Sequence, residues 1–172
     1  MTALIALHNS VFGKIDKSSD FLTPTLARIV FVAVLLVYYW NSATLKFDGS
    51  IFSASAGAFG QIFPKAAEAV LYDVSQMTIF QRVVIFLGTV AEFVLPALLL
   101  VGLLTRLAAI GMIVFIWVQT IVDVSGHGVA FGGLFDNAIT LADQRTMWTF
   151  LMLVLVLKGA GPISLDRLLR LS

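Results

Sequence analysis

The chain has 172 residues, 59% of them apolar and 12% charged, with a net charge of +1, where soluble domains carry roughly 45–50% apolar and 25% charged residues. A domain of this length leaves much of its area exposed, so this composition excludes an ordinary water-soluble globule and points to lipid as the solvent. The balanced charge, without a basic run, excludes a nucleic-acid partner, and the absence of cysteine excludes a disulfide relay, a thiolate-held metal or iron–sulfur cluster and a cysteine nucleophile.

Taken in chain order, the first element is amphipathic. Leu4, Ile5, His8, Val11, Phe12 and Ile15 recur at helical spacing, with Asn9, Ser10, Lys14 and Lys17 elsewhere on the wheel. This predicts an in-plane interfacial helix. The segment lacks the basic start, apolar middle and small-residue cleavage site of a signal peptide, so the initiating end is expected to be retained. A first span is predicted over residues 24–45, where Thr23 offers a hydroxyl cap and Pro24 suits the first helical position.

The connection 47–81 is too long for a tight turn. It opens with small residues (53–60) and then offers a helix over 64–73, lying on the membrane or dipping into it. The second span, 83–104, has Glu92 as its only charge. Only Thr105 and Arg106 separate it from the third, 107–124, which forces an antiparallel hairpin. A glycine-rich connection (125–145) leads to the fourth, 146–162, which contains Lys158. Each approaches the ~20 residues that cross the hydrocarbon at about 1.5 Å per residue. Finally, Ser164 can cap a short helix with Leu165, Leu168 and Leu169 on one face and Arg167 and Arg170 on another, suited to anionic head groups. The predicted architecture is one all-α membrane domain over 1–172, a four-helix bundle with flanking interfacial helices.

Orientation follows from lysine and arginine. With the N-terminus inside, the cytoplasmic side carries Lys14, Lys17, Arg106, Lys158, Arg167 and Arg170, and the outer side Lys46, Lys65, Arg82 and Arg145. Both termini are expected in the cytoplasm of a bacterial cell, with the protein multi-pass in the inner membrane. The acidic residues of the outer side (Asp48, Glu68, Asp73, Asp136, Asp143) count little under this rule.

Two charges fall deep in the spans. Counted from Trp40 as the outer interface, Arg28 lies about 18 Å down, and counted from Arg82, Glu92 lies about 15 Å down. A lone ion there is costly, so the two are expected to meet inside the bundle. Pro96 cannot donate to the carbonyl of Glu92, which should kink the helix and leave a free acceptor. Such a pair reads either as a ligand pocket or proton site, or as a structural clasp. A second cluster, Gln119, Asp123 and His127, recurs every four residues. On a continuous helix it forms one stripe able to bind a metal or pass a proton; otherwise it is a polar helix end hydrogen-bonded to a loop. His8 and His127, the only histidines, are expected on opposite sides, which excludes internal bis-histidine haem. No metal or redox centre is expected on the chain itself. Tyr38, Tyr39, Trp40 and Trp148 read as interfacial anchors before a quinone-stacking wall. Gly102, Gly111, Gly159 and Gly161 read as sites of close helix contact.

The order of these features resembles the DoxX-like family. Arg28 and Lys46 around the first span resemble its opening. Residues 92–109, EFVLPALLLVGLLTRLAA, resemble its centre, and residues 158–166, KGAGPISLD, its close. The resemblance covers most of the chain from about residue 22. The family often carries a glycine just before the lysine, where this chain has NSATL (41–45), and no role is assigned to Lys46.

The resemblance implies a four-helix membrane protein in a redox setting, because relatives include a subunit of a thiosulfate–quinone oxidoreductase. Two functions follow as expectations. One is a membrane subunit of a redox or respiratory complex, quinone-linked near Arg28 and Glu92, with quinone as the possible cofactor. The alternative is a non-enzymatic scaffold or assembly partner. The expected partners are membrane lipid and a protein partner or second copy. A carrier fits less well, since the chain shows no internal duplication.

Overall fold

In the computed structural model the described residues are 2–135 and 138–171, so Asp136 lies outside them. The chain begins with a rod of 43 residues, Thr2–Thr44. It comprises α1 (Thr2–Phe31), one π-helical turn (Val32–Leu36) and α2 (Val37–Thr44). The expected break at Thr23–Pro24 does not occur. Pro24 sits inside α1, its ring packed where Gly161 leaves room, with the side chain of Asp20 held by Lys158 at 2.9 Å. The predicted in-plane helix is therefore a continuation of the first span. The π turn explains the core face of this rod. Ala27, Phe31, Leu35, Tyr39 and Ala43 are all buried at intervals of four. In a uniform α-helix each such step overshoots by about 40°, and the wider turn absorbs part of the drift.

A short antiparallel hairpin follows, β1 (Phe47–Asp48) and β2 (Ser50–Ala54), then α3 (Ala56–Ile62) and α4 (Pro64–Ala69). Ser55 caps α3 through its Oγ, and Pro64 opens α4. The helix expected over 64–73 is shorter than predicted, because Leu71 and Tyr72 turn into left-handed backbone. This cap has its own small core of Ala58, Phe59, Ala67, Met77 and Ile85.

Three long helices complete the molecule: α5 (Ile79–Val101), α6 (Thr105–Ser125) and α7 (Leu141–Lys158). Reciprocal capping boxes start α5 (Thr78 with Gln81) and α7 (Thr140 with Asp143). Helix α5 runs unbroken through Pro96. The packing pairs are α5 with α6, α6 with α7, α1 with α7 and α2 with α5. They enclose a main core that includes Phe31, Leu35, Tyr39, Leu99, Met112, Ile116, Met152 and Leu155. Three helices are long and apolar enough to cross a membrane: the first rod, α5 and α6. Their outward sides carry exposed Val34, Val37, Leu87, Val94, Ile110, Val114 and Ile121, surface that suits lipid. Helix α7 shares the core, although Asp143, Arg145 and Lys158 make it more polar.

The two ends differ. At the turn end, residues 102–104 join α5 to α6 and α8 (Leu165–Leu168) folds back beneath them. Among the described residues this end holds Lys14, Lys17, Arg28, Arg106, Lys158, Arg167 and Arg170 against Asp16, Asp20 and Asp166. The cap end holds the hairpin, α3 and α4.

Candidate functional site

Arg28 and Glu92 do not meet. The carboxylate of Glu92 instead receives the Lys46 ammonium, whose Nζ lies 2.6 Å from Oε2 and 2.8 Å from Oε1. Lys46 also donates to Ser42 Oγ at 2.7 Å, and Ser42 donates to Glu92 Oε1 at 3.3 Å. Both ionic side chains are 4–5% exposed. Two features of sequence position produce this pair. The last turn of the rod carries Ser42, and Lys46 lies two residues past its end at Thr44, where its backbone N–H still donates to the Ala43 carbonyl. Glu92 occupies the buried stripe of α5 with Ile85, Thr89, Pro96 and Leu99. The depth reckoning from Trp40 fails because that residue is no boundary: its helix continues to Thr44, and its indole donates to the carbonyl of Phe93 at 3.3 Å. The signal that sequence reasoning passed over was Lys46, a lone lysine just beyond an apolar helix.

Arg28 serves a different purpose. Its guanidinium donates to the carbonyls of Leu99 (3.0 Å), Leu100 (2.6 Å), Ala160 (3.1 Å) and Ile163 (2.5 Å). It thus satisfies the open C-terminal end of α5 and the turn after α7. Arg106 similarly donates to Val156 near the end of α7. Asp166 accepts from the backbone N–H groups of Leu104 and Thr105 at 2.6 and 2.9 Å, capping the start of α6 from a distance. The sequence features gathered by the resemblance therefore form two assemblies: a clasp at the turn end and an ion pair toward the cap end. Of the four glycines expected at helix contacts, Gly102, Gly159 and Gly161 also have positive φ and serve backbone turns. Gly111 faces Leu95 across α5 and α6, and Gly161 and Gly102 admit the α1 side chains of Pro24 and Arg28.

The Lys46–Glu92 pair borders a cavity of about 80 Å³ between α3, α5 and α6. Val84, Phe115, Val118 and Val122 make its walls largely apolar, and Gln61, Gln119 and Asp123 supply further polar groups. Gly88 also lines it, and a Cβ at that position would meet nothing within 4 Å.

The stripe Gln119, Asp123, His127 is split among three partners. Gln119 Nε2 donates to the Tyr38 hydroxyl at 2.8 Å, while its Oε1 is buried without a partner among the described residues. Asp123 pairs with Arg145 at 2.8 Å. Helix α6 ends at Ser125, so His127 lies beyond the stripe, its Nε2 against the carbonyl of Gln61 at 2.8 Å. That bond ties α3 to the end of α6, over the cavity.

Beside this site, Tyr39 is fully buried rather than interfacial, and Trp148 packs with it. Arg145, expected in a loop, lies inside α7 and rests 4.5 Å above the Trp148 ring. Among the described residues, its Nε and Nη1 and the Tyr39 hydroxyl have no partner. With Gln119 Oε1 they place unspent hydrogen-bonding capacity next to the cavity wall, and buried groups of this kind ordinarily engage water or a ligand. The charges there cancel, two cations against two carboxylates, which favours a neutral guest.

The three apolar helices give the class by length and composition: a chain built to cross a membrane. No family model, curated protein or solved structure matches it.

Proposed function

We propose that the chain is a four-helix, multi-pass subunit of a bacterial inner membrane, with α7 as the fourth span, both termini in the cytoplasm and the cap facing outward. Its cavity receives the head of a neutral amphipathic molecule of the quinone class, on behalf of a redox complex whose other subunits hold the electron-transferring groups. The observation that carries this reading is the cavity itself: an apolar slot opening near an aromatic cluster, with a buried ion pair at one wall and an unpaired amide oxygen at another. Binding pockets combine apolar walls with few fixed polar groups in this manner. The DoxX-like resemblance supports the redox setting.

In this reading Gln119 and Asp123 orient the head group by accepting its hydroxyl protons or, through the amide, donating to a carbonyl. Lys46 and Glu92 fix the local field without carrying net charge. Phe115 supplies a face for the ring. Bound quinone would supply the redox chemistry. The chain's residues supply position, exclusion of water and acceptors for protons.

The second reading, a non-enzymatic scaffold, is favoured by the cap and loops, where Phe52, Leu71, Phe135 and Ile139 are strongly exposed, as is Phe80 at the start of α5. Gentle native purification, with small molecules and proteins both identified, separates the two. Stoichiometric quinone supports the first. A stable protein partner without any small molecule supports the second and removes the first.

A further inference from the structure

At the turn end a groove of about 410 Å³ runs along the lipid-facing surface between α1, the end of α5 and the turn after α7. Ile29, Val32, Ala33 and Leu100 line it, and Arg28 closes one end. Arg28 is only half-buried, and its bonds to Leu100 and Ile163 lie at the exposed edge. Among the described residues it takes part in no ion pair. The nearest candidate, Asp166, has both oxygens committed to backbone N–H groups. The hydrogen-bond partners of the guanidinium are all neutral carbonyls, and the Asp166 carboxylate acts on it only through space, without a direct contact. Four of its five N–H donors are used, which leaves one on Nη2.

We infer that this groove seats one anionic phospholipid, its phosphate against the free edge of Arg28 and an acyl chain along Ile29, Val32, Ala33 and Leu100. Arginine recognises phosphate by charge and donor geometry together. The excess of cations at this end draws anionic lipid to the same leaflet. The molecule contains its own control. A second surface groove, lined by Trp40, Phe93, Val94, Ala97, Leu98 and Val101, has comparable size but no charged residue. It suits any acyl chain and has nothing to select a head group. The inference rests on the chain lying in a membrane and is independent of what occupies the cap-end cavity.

The test is native mass spectrometry of the delipidated full chain, titrated with phosphatidylglycerol or phosphatidylcholine of identical acyl chains. The first phosphatidylglycerol should bind about fivefold or more tightly than phosphatidylcholine, whose phosphate is the same but is neutralised by its own quaternary ammonium, as expected for about one unit of net charge beside a cation. Ala33→Trp, which fills the groove from its lipid side, should abolish the preference, and Ala97→Trp in the control groove should preserve it. Inorganic phosphate should not displace the lipid. Equal binding of the two lipids by the unaltered chain overturns the proposal without recourse to any variant. Retention of the preference in Ala33→Trp, or displacement by phosphate alone, overturns it as well.

Discussion

Lys46 and Glu92 sit 2.6 Å apart with almost no access to water, and each is tolerable there because of the other. Removing one partner strands an ion, at a cost of about 3–5 kcal/mol, while removing both restores neutrality. Lys46→Met and Glu92→Gln should each lower folded yield and unfolding temperature, and the double change should recover much of the loss. Additive losses in detergent unfolding would show that the residues do not meet. The same cycle on Arg28 and Glu92 should be additive. Glu92 was legible in the sequence as a buried ion in need of a partner. The partner was not, because depth reckoned along each helix separately ignores where a helix ends. Tyr39 supplies the opposite case: its hydroxyl is buried and unpaired. An orphaned polar group costs about 1–3 kcal/mol, so Tyr39→Phe should leave thermal stability unchanged or raise it. A clear loss would reveal a bound water or ligand at that hydroxyl.

Among the elements, the turn between α5 and α6 depends on its glycine. Gly102 has φ +67°, and a Cβ there would lie 2.6 Å from that of Ser164 and 2.8 Å from Arg28 Cζ. Gly102→Ala should therefore destabilise by more than the ~1–2 kcal/mol of left-handed backbone alone, measurable as a lower unfolding temperature. Gly88→Ala is helical and open, and should stabilise by roughly 0.5–1 kcal/mol. At the start of α7, the backbone N–H and hydroxyl of Thr140 hold the Asp143 carboxylate below the ordinary carboxylate range. Its capping contribution is present above the unfolded-state value of about 3.9. It fades as pH falls through the lower folded value. Asp143→Asn should flatten the acid limb of a pH–stability curve at that point; an unchanged limb would remove the cap from the account. The spans over α5 and α6 and the hairpin between them were legible from apolar length, although the turn falls at residues 102–104 and Thr105 and Arg106, read as the connection, open α6 instead. Ser164 as a cap was legible as well, since its hydroxyl accepts from Arg167 N–H. The long first rod was not, because Thr23–Pro24 is a sound local start signal, and packing against Gly161 outweighs it. Nor was the β1–β2 hairpin, whose short strands carry too little alternation to read.

For the molecule as a whole, the proposed topology places Ser55 and Ser125 outside and Ser18 inside. In a chain without cysteine, Ser55→Cys and Ser125→Cys should react with an impermeant maleimide on intact cells, and Ser18→Cys only after permeabilisation. The reverse pattern would invert the protein and, with it, the side from which the cavity is reached. Composition and hydropathy made the membrane character plain. The cavity was hidden from the sequence because its walls come from segments far apart, Lys46, Gln61, Glu92 and Gln119 among them, that only tertiary packing unites. Its role as a binding site is the central claim, and Gly88 offers the most direct access to it. A short-chain quinone should quench the tryptophan fluorescence of the purified chain saturably. Gly88→Ala should keep that behaviour, and Gly88→Phe, with its ring filling the slot, should abolish it while leaving the helical circular dichroism intact. Saturable quenching that survives Gly88→Phe, or none in the unaltered chain, would contradict the account.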